Sequence, residues 1–199
     1  MWTVLLCLFV LAGCAAKRQP PCAVPQIMKE RMNAIGARVT MCISPTQPLP
    51  YYIACSNEPN AYIYEKKIIF TEGMFAFDSD VLKFVMAHEI AHDKAGHLAK
   101  IRAASLVTTG AMMVLNAIVP GSGILNYAVN PAVTRNFNKS QELEADRLAS
   151  EAMSCLGYSI PEQVEIVEKL KTSGGDGGGF WSTHPAWDER IEAIRALEK

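Results

Sequence analysis

The sequence has no excess charge of either sign: 19 Lys and Arg against 20 Asp and Glu give a formal net charge of −1. A nucleic-acid binder concentrates basic residues on one face, so this balance argues against nucleic acid as a partner. The six cysteines, Cys7, Cys14, Cys22, Cys42, Cys55 and Cys155, form no C-x-x-C pair, which argues against a structural zinc ribbon. No internal repeat is visible, and neither of the two apolar runs reaches the roughly 20 residues of a spanning helix. What is present is a chain of 199 residues, 50% hydrophobic, enough to bury the core of one domain.

The first apolar run, Trp2 to Ala12, is uncharged and about as long as the h-region of a secretory signal. Leu11-Ala12-Gly13-Cys14 resembles the bacterial lipobox, in which the cysteine is lipidated and becomes the mature N-terminus. By that resemblance Cys14 carries a membrane anchor, and Ala15 after it favours the outer membrane of a bacterial envelope, facing the periplasm. The expected organisation is a leader over 1–13, a Pro-rich tether over 14–25, and one domain over 26–199. Four cysteines then remain, and an oxidising compartment permits two disulfides in three pairings. Cys42 with Cys55 is the expected pair, since they flank one short Pro-rich connection, leaving Cys22 with Cys155; four buried thiols are the alternative.

Helical spacing of apolar residues predicts a first helix over 26–37, and Val39 to Ile43 reads as a strand. Ser44 to Pro50 is a turn, and Tyr51 to Cys55 is a second strand. Ala61 to Phe70 is β-rich on both sides of Glu65-Lys66-Lys67, as a hairpin or one long strand. A helix is expected from Asp78 to about Ala99, capped by Asp78 or Ser79. The second apolar run, 103–119, is expected to be a buried or hairpin-forming helical segment, ended by Pro120-Gly121-Ser122-Gly123, rather than a membrane-contacting one. Helices follow over 139–156, from Ser159-Ile160-Pro161, and from about Pro185 to Lys199, the last after a flexible loop at 173–179.

His88-Glu89-Ile90-Ala91-His92 is H-E-x-x-H on a predicted helix. Histidines four apart share a helix face, so both imidazoles can reach one Zn²⁺, and Glu89 projects beside the metal where it can take a proton from water. A third protein ligand is needed. His97 lies nine residues after His88, about half a turn round the helix, so it reads as structural or as a supporting neighbour. Glu142 and Asp146 stand four apart on a later helix: one carboxylate can ligate and the other can accept the N–H of a ligating histidine, while Glu144 points elsewhere, to solvent. His184 follows the glycine-rich loop; taken alone, a histidine there is a cap or surface residue.

Together, H-E-I-A-H at 88–92, E-L-E-A-D at 142–146 and T-H-P-x-x-x-x-R-I from Thr183 to Ile191 resemble metallopeptidase family forty-eight, the HtpX-like and CAAX-prenyl-protease-like gluzincins. The resemblance covers roughly residues 26–199 and implies an α+β zincin-type fold. That fold is mostly helical, with a small antiparallel or mixed sheet beside the H-E-x-x-H helix. It implies one zinc ion held by His88, His92 and Glu142, Glu89 as general base, and Asp146 behind the ligands. It implies His184 near the metal, supporting the oxyanion or blocking the site, and Arg190 in a structural ion pair. Asn60-Ala61 resembles the start of the family's substrate strand. The implied activity is that of a zinc endopeptidase acting on unfolded or misfolded envelope proteins. A latent protease serving as a chaperone for outer-membrane protein assembly, alongside the envelope assembly machinery, is the alternative.

Overall fold

A computed structural model describes residues 24–45, 49–64, 66–118, 137–174, 180–184 and 186–198. The expected leader and most of the tether (1–23, with Cys14 and Cys22), the Pro-Gly-Ser-Gly segment and most of the 173–179 loop lie outside the described residues.

Helix α1 spans Gln26–Cys42 and buries Met32, Ile35 and Val39, with Ile43 buried one turn further on. The strand expected at Val39 to Ile43 is therefore a correction. These residues continue the three-and-four spacing of Met32 and Ile35, and that period overrides their β-branched composition. Arg31 ties α1 to the following segment, its Nη2 donating to the Phe77 carbonyl at 2.6 Å and its Nε to Ser79 Oγ at 3.0 Å.

Strands β1 (Tyr51–Ala54), β2 (Ala61–Tyr64) and β3 (Lys67–Thr71) form a mixed sheet in the order β1-β3-β2, with β1 parallel and β2 antiparallel to β3. Ala61 to Phe70 is thus a hairpin. Its tip residue Lys66 takes a positive φ of 62° and donates to Asp93 Oδ1 at 2.8 Å, pinning the hairpin over the end of the next helix. Among the described residues β2 is an edge strand. The loop leading into it is held by Thr71 Oγ1, which accepts from the Asn60 N–H at 2.7 Å. That loop also passes so close to Gly73 that a Cβ there would meet the Asn57 carbonyl oxygen at 2.3 Å.

Helix α2 (Ser79–Lys94) is capped by Asp78, whose carboxylate accepts from the N–H groups of Asp80 and Val81. From Val81 to Asp93 every residue except Lys83 is buried. Such a helix has no solvent face and is the axis of the core. It packs against α1, β2, α4 (Lys139–Cys155) and α5 (Ile160–Thr172). The expected single helix to Ala99 is broken: Gly96, at φ +68°, turns the chain after Lys94, and α3 (His97–Ile118) starts afresh. The second apolar run is helical, as expected, but it is not buried there: Leu106, Val107, Met113 and Ile118 of α3 are exposed. No helix among the described residues is long and apolar enough to cross a membrane.

Capping boxes start α4 at Asn138 with Gln141 and α5 at Ser159 with Glu162, Pro161 lying in its first turn. A short helix α6 (Phe180–Thr183), His184 and a left-handed Ala186 (φ 67°) lead into α7 (Trp187–Arg195), followed by a 3₁₀ turn at Ala196–Glu198.

Cys42 is bonded to Cys155, with their Cα atoms 5.7 Å apart, and Cys55 is disulfide-bonded as well. The expected pairs Cys42–Cys55 and Cys22–Cys155 are thereby overturned. Cys42 ends α1 and Cys155 ends α4, and these helices pack on each other, so tertiary packing rather than nearness in sequence chose the partner.

The bridge joins positions 113 residues apart and excludes many open conformations of the unfolded chain. Replacing both Cys42 and Cys155 by Ser is expected to cost about 2–5 kcal/mol of stability. Urea unfolding without reductant measures this; an unchanged midpoint would mean that the bridge adds nothing.

Candidate active site

Three elements bring five polar side chains to one buried point. Helix α2 supplies His88, Glu89 and His92, α4 supplies Glu142, and the segment after α6 supplies His184; each is at most 1% exposed. His88 Nε2 and His92 Nε2 face each other at 2.9 Å. Glu142 lies beneath them, with Oε2 3.4 Å from His88 Nε2 and Oε1 3.3 Å from His92 Nε2. His184 Nδ1 completes the group, 3.2 Å from His88 Nε2 and 3.1 Å from Glu142 Oε1. Four donor atoms, one from each of these residues, lie within 4.8 Å of one another.

The donor set fits zinc. Ligands about 2.0–2.1 Å from a tetrahedral ion stand about 3.3–3.4 Å apart, close to most separations found here. Two imidazole nitrogens and a carboxylate are the usual donors, and with three buried carboxyl groups (Glu89, Glu142, Asp146) beside a single guanidinium the site favours further positive charge. Burial opposes ionisation of Glu142, yet the His184 and His88 imidazoles beside it hold its carboxyl far below the ordinary range. Burial likewise disfavours a charged His184, but Glu142 and Glu89 lift it to about 9: a proton on that ring balances the same carboxylate that a divalent ion would. Burial, and then the charge of His88, push His92 well below its ordinary value and leave it a neutral donor.

Behind this group lies a second layer. Asp146 Oδ1 is 2.8 Å from His88 Nδ1, a close contact bent away from hydrogen-bond geometry. Arg190, fully buried, grips Asp146 with two parallel bonds, Nε to Oδ2 at 2.6 Å and Nη2 to Oδ1 at 2.9 Å. Its Nη1 also lies 3.0 Å from Glu142 Oε2 and donates to the His184 carbonyl at 3.2 Å, while Trp187 stacks 4.3 Å from its Cζ. Burial opposes the charge on Asp146, but the Arg190 guanidinium brings its pKa down to about 2.

The structure thus gathers His88, Glu89, His92, Glu142, Asp146, His184 and Arg190 into one site. Asn60 lines an adjacent cavity of about 440 Å³ together with Tyr62, Tyr64, Leu98, Phe137 and His184, whereas Ala61 is packed in the core. Cys14 lies outside the described residues. Glu144 needs correction: it is half exposed but reaches His97 Nε2 at 3.1 Å. Two aromatic rings escaped sequence reading, Phe137 stacked on His92 at 3.7 Å and Phe180 on His184 at 4.3 Å. Phe180 stands one helical turn before His184, a spacing that could have signalled it, whereas Phe137 lies 45 residues after His92 and no local pattern links the two.

A model of peptidase family M48 matches residues 28–198. The chain is 26% identical over 159 residues to the beta-barrel assembly-enhancing protease of Escherichia coli strain K12, covering 72% of this chain and 33% of that protein. It is 29% identical over 144 residues to the mitochondrial metalloendopeptidase OMA1 of Arabidopsis thaliana, covering 69% of this chain and 30% of that protein. The chain therefore spans about a third of the length of these relatives.

Removing Arg190 leaves Asp146 and Glu142 buried without their cation. Arg190→Met is expected to lower stability by about 3–5 kcal/mol, measured by urea unfolding, and Arg190→Lys to fall between the two because an ammonium cannot make the parallel pair of bonds. A wild-type midpoint for Arg190→Met would remove Arg190 from this structural part.

Proposed function

The chain belongs to peptidase family M48, and from that premise we propose that it is a zinc endopeptidase whose ion is held by His88, His92 and Glu142. The observation that carries this reading is the convergence of His88 Nε2, His92 Nε2 and the Glu142 carboxylate, with Glu89 alongside on the same helix. Zinc bound there supplies Lewis acidity to a carbonyl and lowers the pKa of water. Glu89 takes the proton from the attacking water and returns it to the leaving amine. An extended substrate segment adds alongside β2, an edge strand among the described residues, beside the cavity that Asn60 and His184 line. Such pairing uses main-chain groups and favours unfolded chain over folded protein.

The proposal extends to an envelope role: a lipid anchor at Cys14, an outer-membrane location facing the periplasm, and substrates among misfolded outer-membrane proteins. It is supported by the lipobox-like Leu11-Ala12-Gly13-Cys14, by the Cys42–Cys155 bridge, which suits an oxidising compartment, and by the assembly-enhancing role in the name of the Escherichia coli relative.

A second reading rests on His184. Its Nδ1 stands in the donor group, where a fourth ligand would hold the site latent and leave the chain a binding module for assembling proteins.

Glu89→Gln is expected to retain zinc and lose casein cleavage; retained turnover would refute Glu89 as the base. In the same assay His184→Ala is expected to cleave faster than wild type, since a competing donor is gone. Slower cleavage with zinc retained would make His184 a catalytic support instead, and substrate binding without cleavage in either protein would favour the chaperone reading. For the anchor, Cys14→Ser is expected to shift the chain from the membrane fraction to the soluble periplasm, and unchanged fractionation would exclude lipid at Cys14.

A further inference from the structure

His97 stands outside the donor group, yet it is fully buried and both its ring nitrogens are engaged. Its Nδ1 lies 2.9 Å from His92 Nδ1, and its Nε2 lies 3.1 Å from Glu144 Oε2. The break at Gly96 makes this possible: a continuous helix would carry residue 97 past the far side of residue 92, whereas the left-handed turn brings it back. Phe137 stacks on His92 at 3.7 Å, so that ring is held both at its face and at its outer nitrogen.

Proton counting along the row leaves one arrangement. With Nε2 of His92 offered to zinc, the single proton of its neutral ring sits on Nδ1. That N–H donates to His97 Nδ1, which must then be bare. The proton of His97 therefore sits on Nε2 and is donated to the Glu144 carboxylate, an acceptor only. We propose that His97 and Glu144 are positioning residues, a relay that sets the tautomer and orientation of His92 and lets a half-exposed carboxylate tune its strength as a zinc donor. This rests on the assignment of His92 as a zinc ligand. His88 meets its carboxylate, Asp146, directly; His92 meets its own through an intervening imidazole. Glu144 is 46% exposed and its Oε2 also lies 3.9 Å from Lys100 Nζ, so the outer end of the relay sits among surface charge.

The test uses the whole chain and zinc itself. Zinc affinity is measured by competition with a chromophoric chelator, alongside the thermal midpoint of the zinc-stripped protein. Glu144→Gln, at a position that leaves the core intact, is expected to weaken zinc binding several-fold with an unchanged midpoint. His97→Phe keeps the volume but removes the acceptor, and a loss of about 10–100-fold is expected, as for other groups that orient a ligand. His97→Asn is expected to recover part of it, because its amide oxygen can accept from His92. Long-range ¹⁵N spectra of the zinc-loaded wild type are expected to show His92 protonated at Nδ1 and His97 at Nε2. Wild-type affinity in Glu144→Gln and His97→Phe, or a His97 protonated at Nδ1, overturns the relay while leaving the zinc site standing. Wild-type protein that takes up no zinc overturns the site assignment and the relay with it.

Discussion

The site is organised around one buried cation, the guanidinium of Arg190. Asp146, Glu142 and the His184 carbonyl come from two different parts of the chain, and all three meet on it. Two carboxylates on one helix, four residues apart and shut away from water, repel each other and each carries a desolvation penalty. The planar fork of Arg190 answers both charges at once, which a lysine cannot do. The position of α7 against α4, and hence where His184 stands, follows from this contact.

The central helix imposes the second constraint. Helix α2 is buried on every side, so its two histidines and its glutamate have no water to satisfy them and must find partners among protein groups or a metal. Asp146 lies 2.8 Å from His88 Nδ1, and His97 pairs with His92. Glu89 Oε1 and His184 Nε2 instead lie 3.3 Å apart without a hydrogen bond, which leaves polar capacity where the reaction is proposed to occur. The cavity lined by Asn60 and His184 lies beside that point, next to β2, an edge strand among the described residues.

Much of this was legible along the chain. The H-E-x-x-H and Glu142–Asp146 spacings are local relations on helices, and His184 and Arg190 joined them through the family resemblance that these strings share with the Thr183–Ile191 string. Asp78, one of two caps expected for α2, and the start of α5 at Ser159-Ile160-Pro161 are equally local. The corrections have two causes, one local and one tertiary. Val39 and Ile43 looked like a strand by composition, but their spacing from Met32 and Ile35 is helical. Cys42 seemed destined for Cys55 by nearness, yet helix packing delivered Cys155. Glu144 seemed idle because its partner, His97, lies 47 residues before it.

The sequence by itself determined that His88 shares a helix face with His92, and Glu142 with Asp146, since a period of 3.6 residues needs no tertiary information. Only the tertiary structure decided that His184 enters the donor group, that Arg190 joins Asp146 to Glu142, that Cys42 binds Cys155, and that a glycine turn folds His97 back onto His92. These are contacts between elements far apart in the chain. They are settled by how buried surfaces and buried charges find partners, and no local spacing encodes that outcome.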